Sequence, residues 1–101
     1  MNFETNKVYT FKLNSGEEMI AKVVGAPIGA GYVVLEEPVS VAPGPKGLGL
    51  VPSLFTADVK QEIQLNINSI AISAVTDDSV CMKYIEATTG ITVPDKKLIL
   101  G

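Results

Sequence analysis

Apolar and polar side chains alternate along residues 9–13, which is the pattern of a strand with one buried and one solvated face. A polar turn at residues 14–16 ends this alternation, and Gly16 can take the positive φ of a short hairpin loop. A second apolar segment covers residues 17–25 and ends at Gly25, where a sharp bend is tolerated. The pattern predicts a β-hairpin.

A third extended segment, residues 32–41, follows a glycine-rich loop over residues 26–31. Pro38 interrupts it and predicts a bulge, a bend or a sheet edge, because proline has no backbone N–H for the ladder. Residues 42–52 contain three prolines and three glycines and are predicted to be a surface loop, either functional or an inert insertion. Residues 54–57 are predicted to form a short strand.

Residues 62–75 form the next clear β segment, and its apolar side chains change parity partway along. Ile63 and Leu65 alternate with polar residues, whereas Ile70 and Ile72 alternate in the opposite phase. The change falls at residues 68–69. A bulge or tight turn there would keep inward packing on both sides, so two short strands joined by that turn are predicted.

Apolar side chains recur at helical spacing after residue 76, with Val80 and Tyr84 on one face. An aspartate precedes this segment and can cap a helix by accepting from its first N–H groups. Gly90 stands where a C-terminal cap is expected. These signals predict a helix over about residues 78–89. An extended tail over residues 91–101 is predicted to pack its apolar end on a sheet edge or on a neighbouring molecule.

The composition indicates one mainly β domain over residues 1–101, since 101 residues leave no room for a second core. Hydrophobic residues make up 47% of the chain and tryptophan is absent, so the core is expected to be aliphatic and thin. A domain this small cannot bury so much apolar surface, which is then either an ordinary exposed monomer surface or, as we expect, a contact for self-association. The net charge of -3 argues against tight, sequence-blind binding to nucleic acid.

Several classes of chemistry find no support in the sequence. There is no histidine, and the single cysteine, Cys81, lies on the predicted helix and is interpreted as a small core residue. The acidic pairs are adjacent in sequence, so on a strand they point to opposite faces. No glycine-rich stretch has the ending of a phosphate loop. No enzyme activity, metal, cofactor or small-molecule substrate is therefore predicted.

No signal peptide precedes the first strand, and no apolar run approaches the roughly 20 residues of a membrane span. The protein is therefore predicted to be soluble and cytoplasmic, with no membrane partner.

The segments at residues 8–37 and 62–75 resemble the two halves of the Sm-like (LSm) fold. The first contains an apolar strand, a polar turn ending in glycine, a second strand ending in glycine, and a third ending in acids. The second contains two short strands joined by a tight polar turn. The overall pattern is most similar to small Sm-like proteins of marine bacteriophages. The resemblance implies a strongly bent, five-stranded antiparallel barrel over about residues 7–75, followed by the C-terminal helix.

The resemblance also implies homo-oligomeric rings, joined by pairing the fourth strand of one subunit with the fifth of the next. It implies single-stranded RNA binding at two loops, although the aspartate and asparagine of the first loop and the Arg-Gly of the second are missing here. Tyr32 is the candidate for base stacking or is a barrel-rim core residue. Asn66 and Asn68 either bond base edges or stabilise their own turn.

Two functional hypotheses follow. The first is a non-enzymatic Sm-like ring that binds single-stranded RNA weakly, which the fold favours. The second is a structural or protein-interaction ring without a nucleic-acid role, which the acidic pI of about 4.8 and the missing RNA-binding residues favour.

Overall fold

Six antiparallel strands and one helix make up the computed structural model, which describes residues 2–90. The prediction of a mainly β chain with one C-terminal helix is confirmed for these residues, while the predicted packing of residues 91–101 lies outside them. The elements in chain order are β1 (Lys7–Leu13), β2 (Glu18–Gly25), β3 (Tyr32–Gly44), β4 (Gly47–Pro52), β5 (Ile63–Asn66), a 3-10 turn (Ile67–Ser69), β6 (Ile70–Val75) and α1 (Asp78–Thr89).

The long strand β3 organises the sheet, whose order is β4-β3-β2-β1-β6 with β5 also on β3. Its first four residues pair with β5, and its last six pair with β4. β5 and β6 follow each other through the 3-10 turn, but they pair with β3 and β1 and not with each other. Within residues 2–90 the sheet therefore has six strands instead of the five predicted, and its ladder does not close.

The extra strand lies in the segment predicted to be a loop. β4 pairs with β3 from Val39↔Pro52 to Gly44↔Gly47, so the prolines and glycines of residues 42–52 belong largely to a hairpin. β2 pairs with β3 only as far as Ser40, so the hairpin tip is a two-stranded projection where proline interrupts few hydrogen bonds. The strand predicted at residues 54–57 is absent, and these residues form an exposed bend.

One face of the sheet encloses the main apolar cluster. Its members come from β1, β2 and β3 and are almost fully buried. Half-buried side chains from the N-terminal segment, β1, β5 and β6 pack around them. The buried set is Tyr9, Phe11, Met19, Ala21, Val23, Val33 and Leu35. The alternation along β1 and β2 thus describes their inward face correctly.

The opposite face carries α1. Tyr84, 2% exposed, packs with Ile20 and Val39 in a second cluster, and Val80 packs against its edge. β3 contributes to both clusters because one extra residue sits between Glu36 and Val39, opposite a shorter step on β2. This bulge confirms the irregularity predicted at Pro38 and turns later side chains toward the helix.

The boundaries of α1 agree with the sequence signals. The side chain of Asp77 accepts hydrogen bonds from the N–H groups of Ser79 and Val80, and Gly90 ends the helix with a φ of 77°.

The two predicted strands in residues 62–75 are confirmed as β5 and β6, joined by the 3-10 turn. The predicted inward phase of β6 is wrong beyond Ile70, which packs on the main cluster, whereas Ile72 is 62% exposed. A register shift opposite Lys12 and Leu13 reverses the alternation.

Candidate functional site

Tyr32 and Asn66 lie opposite each other at one end of the sheet. Tyr32 opens β3, Asn66 closes β5, and the two residues are register partners. The backbone N–H of Ile67 donates to the carbonyl of Gly31 over 3.0 Å, which holds the loop at residues 26–31 against the 3-10 turn. The fold therefore brings the predicted candidates together although they are more than thirty residues apart in the sequence.

Asn66 and Asn68 shape the turn between β5 and β6. The side-chain oxygen of Asn66 accepts the backbone N–H of Asn68 over 2.8 Å and caps the 3-10 turn. Turn stabilisation is one of the two roles predicted for Asn66, and it already engages the side-chain oxygen of this residue. Both side chains are nevertheless exposed, and Asn68 has no side-chain hydrogen bond to residues 2–90.

A further residue, Asn14, supports this turn from the β1–β2 hairpin. Its side-chain N–H group donates to the carbonyl of Asn68 over 2.6 Å, and its backbone N–H donates to that of Ser69 over 2.8 Å. The residues around Asn14 indicate only a hairpin turn, so no local signal predicts this contact. We call the surface formed by Asn14, residues 26–31, Tyr32 and residues 66–69 the amide end.

The amide end presents an aromatic ring, aliphatic side chains and side-chain amides, and it has no charged group. Ile28 is fully exposed and Ile67 is 45% exposed, while the Tyr32 ring is half-buried. None of its segments contains a lysine. Such a surface can stack on a planar group and bond its edge, but it cannot neutralise phosphates.

A second polar cluster lies under α1 and joins the helix to the sheet. The hydroxyl of Tyr84 donates to the carbonyl of Glu37 over 2.9 Å. The side chains of Glu36 and Glu37 diverge, one to Lys22 at 3.5 Å and the other to Lys60 at 3.0 Å. Burial, with a smaller effect of the Glu37 charge, raises the pKa of Tyr84 well above its ordinary value. These groups satisfy one another, which is the pattern of a structural network.

Other candidate chemistry is sparse in the part of the chain that the structure describes. Burial, with the nearby charge of Asp78 adding to it, raises the pKa of the half-buried Cys81 thiol, which disfavours its reactive thiolate form. No group of three or more His, Cys, Asp or Glu residues within residues 2–90 is arranged to hold a metal ion. Within the same residues, α1 is too short to cross a membrane.

Comparison with known proteins adds no family to this description. No protein-family model matches the chain, and no curated protein matches it significantly.

Proposed function

We propose that the chain is the subunit of a non-enzymatic Sm-like homo-oligomeric ring that binds single-stranded RNA weakly at its amide end. The barrel, the ring and the RNA site are each supported by a separate observation, and each can fail separately.

The barrel is supported by the main apolar cluster. Side chains from β1, β2, β3, β5 and β6 all reach it, which supports a sheet bent so that β5 and β6, on either side of β3-β2-β1, contribute to one core. The 3-10 turn joins β5 to β6 where an open sheet would need a long crossover. These five strands correspond to the five of the Sm-like fold, and β4 is then an extension of the third-strand hairpin.

The ring is supported by the outer edge of β6. This strand reads Ile-Ala-Ile-Ser-Ala-Val, without a charge, a proline or a glycine, and it pairs only with β1 among the described strands. Ile72 and Val75 are 62% and 56% exposed. Proteins normally protect a strand with exposed branched side chains and no charge, because such a strand invites pairing with another. β5 also pairs with a single strand within residues 2–90, and we propose that β5 of one subunit pairs with β6 of the next.

The RNA site is supported by the register of Tyr32 opposite Asn66. In a ring-shaped oligomer, the aromatic side chain of Tyr32 and the exposed amide of Asn68 would recur once per subunit. Stacking on an aromatic side chain contributes about 1–3 kcal/mol per base, so we expect Tyr32→Ala to weaken binding roughly tenfold or more. Fluorescence anisotropy with labelled oligo-U and oligo-A measures this directly.

Salt dependence separates this site from an electrostatic one. We expect a shallow dependence of affinity on salt, because the amide end has no cation. Phe55→Ser is the matched control, since Phe55 is 85% exposed and lies outside the amide end. An unchanged affinity in Tyr32→Ala, or a steep salt slope, would contradict this RNA site.

The alternative is a structural or protein-interaction ring with no nucleic-acid role. It is favoured by the engaged side-chain oxygen of Asn66, which leaves fewer groups for reading a base. The same titration decides between the two. An oligomer that binds neither oligonucleotide at high micromolar concentration and low salt supports the structural ring.

A further inference from the structure

An open groove of about 540 Å³ crosses the face of the sheet that carries α1. The tip of the β3–β4 hairpin forms one wall, and the first turns of α1 with the end of β6 form the other. Its lining includes Ile20, Val41, Leu50 and Val80, which also belong to the second apolar cluster.

The groove exists because α1 covers only part of this face. Tyr84 and Val80 pack over Ile20, whereas Val41 and Leu50 remain half-buried. Leu48 and Val75 stand on opposite rims and are 70% and 56% exposed. Apolar rims on both sides of an apolar floor mark a contact surface better than scattered exposed residues do.

The charges around the groove identify what fits it. Lys46 and Lys83 line it together with Glu18 and Asp77, so each sign occurs twice. Neither of these lysines has an ion pair within residues 2–90. A partner of one charge sign would meet repulsion from half of this set.

A surface with both signs is instead suited to a second copy of itself. In a two-fold interface the same patch occurs on both sides, so both members of every contact must lie on one surface. The groove meets this condition for its apolar and its charged groups.

We propose that two copies of this chain pack groove to groove about a two-fold axis. The apolar rims of each copy then lie over the floor of the other, and the lysines of each face the acids of the other. This contact uses the face of the sheet, whereas ring formation uses its edges. It therefore does not depend on the proposed ring, and would join two rings if the ring forms.

Light scattering coupled to size exclusion tests the contact. The double substitution Lys46→Glu with Lys83→Glu makes the groove uniformly acidic, and we expect it to halve the mass of the wild-type assembly. Leu48→Ser removes the apolar rim on the hairpin tip without changing charge, lies outside the proposed β5–β6 contact, and has the same expected effect. Phe55→Ser, an exposed apolar change outside the groove, is the control and should leave the mass unchanged. Circular dichroism shows that each variant is folded.

The outcomes for the groove and for the ring can be distinguished. If the ring is wrong and the groove contact is right, the wild type has twice the 10.7 kDa chain mass. An assembly whose mass responds to neither folded groove variant would overturn the groove contact, and would leave the groove to residues 91–101 or to another protein. A wild type that is monomeric at high micromolar concentration would overturn it as well.

Discussion

At the scale of single residues, Tyr84 shows how one side chain fixes the helix to an irregular strand. Its hydroxyl donates to the carbonyl of Glu37, within the bulge of β3 where Glu37 takes a φ of 56°. A bulge interrupts the regular ladder, so a side-chain donor from outside the sheet can satisfy the local backbone. The tyrosine thus combines an apolar ring in the second cluster with a polar tip at the bulge.

Tyr84→Phe should destabilise the protein by roughly 1–3 kcal/mol, because it leaves the carbonyl of the half-buried Glu37 without this donor. Since the folded-state pKa of Tyr84 is raised, the hydroxyl contributes fully below about pH 10 and its contribution is lost as the pH rises further. Urea unfolding at pH 8 and pH 11 should show that the free energies of unfolding of wild type and variant differ less at the higher pH. Tyr32→Phe is the control. An equal difference at both pH values would contradict this account.

At the scale of elements, the N-terminal cap of α1 is a cluster of hydrogen bonds to one side chain. One carboxylate oxygen of Asp77 accepts the N–H of Ser79 at 3.1 Å and that of Val80 at 3.4 Å. The hydroxyl of Ser79 also donates to it, at 2.6 Å. These bonds, that of the hydroxyl first, lower the pKa of Asp77. Because helix N–H groups at this end have no partner within the helix, the cap sets where α1 begins.

Asp77→Ala should lower the melting temperature at pH 7. Asp77→Asn should lower it much less, because asparagine also caps helices. The depressed pKa means that the charged cap contributes above the unfolded-state value of about 4 and is lost as the pH falls through the folded-state value. Thermal melts followed by circular dichroism at pH 7 and pH 2.5 should therefore show a smaller effect of Asp77→Ala at the lower pH. If Asp77→Ala lowers the melting temperature equally at both pH values, the cause is something other than the charged cap.

At the scale of the whole molecule, several strands of the sheet have one strand neighbour each among the described residues. β4, β5 and β6 each lack a strand partner on one side within residues 2–90. β6 has exposed branched side chains and no charge, proline or glycine, whereas β4 contains two glycines and a proline. Pairing with other subunits would remove apolar area from water.

The protein should therefore be an oligomer at micromolar concentration, and Ile72→Lys should lower its mass. A lysine on an edge strand opposes pairing because a neighbouring strand would have to desolvate its charge. Light scattering gives the mass, and Ile28→Lys, on an exposed loop residue, is the control for added charge. A wild type that elutes at the single-chain mass of 10.7 kDa would contradict the expectation.

The sequence alone determined the elements whose signals are local. The β1–β2 hairpin, the turn between β5 and β6, and the limits of α1 follow from spacing, a turn glycine and helix caps within a few residues. The alternation of Met19, Ala21 and Val23 also identified one face of the core. These features are decided by each segment's own periodicity, so neighbours in space reinforce them without changing them.

Only the tertiary structure decided the features that need distant partners. Residues 47–52 read as a loop, yet the free edge of β3 makes them a strand, because ladder pairing outweighs a weak local preference. Tyr32 meets Asn66, and Asn14 holds Asn68 from 54 positions away, through contacts that no local pattern contains. Where strands bend, which edges stay open and which side chains share a surface are set by long-range packing, which local spacing does not encode.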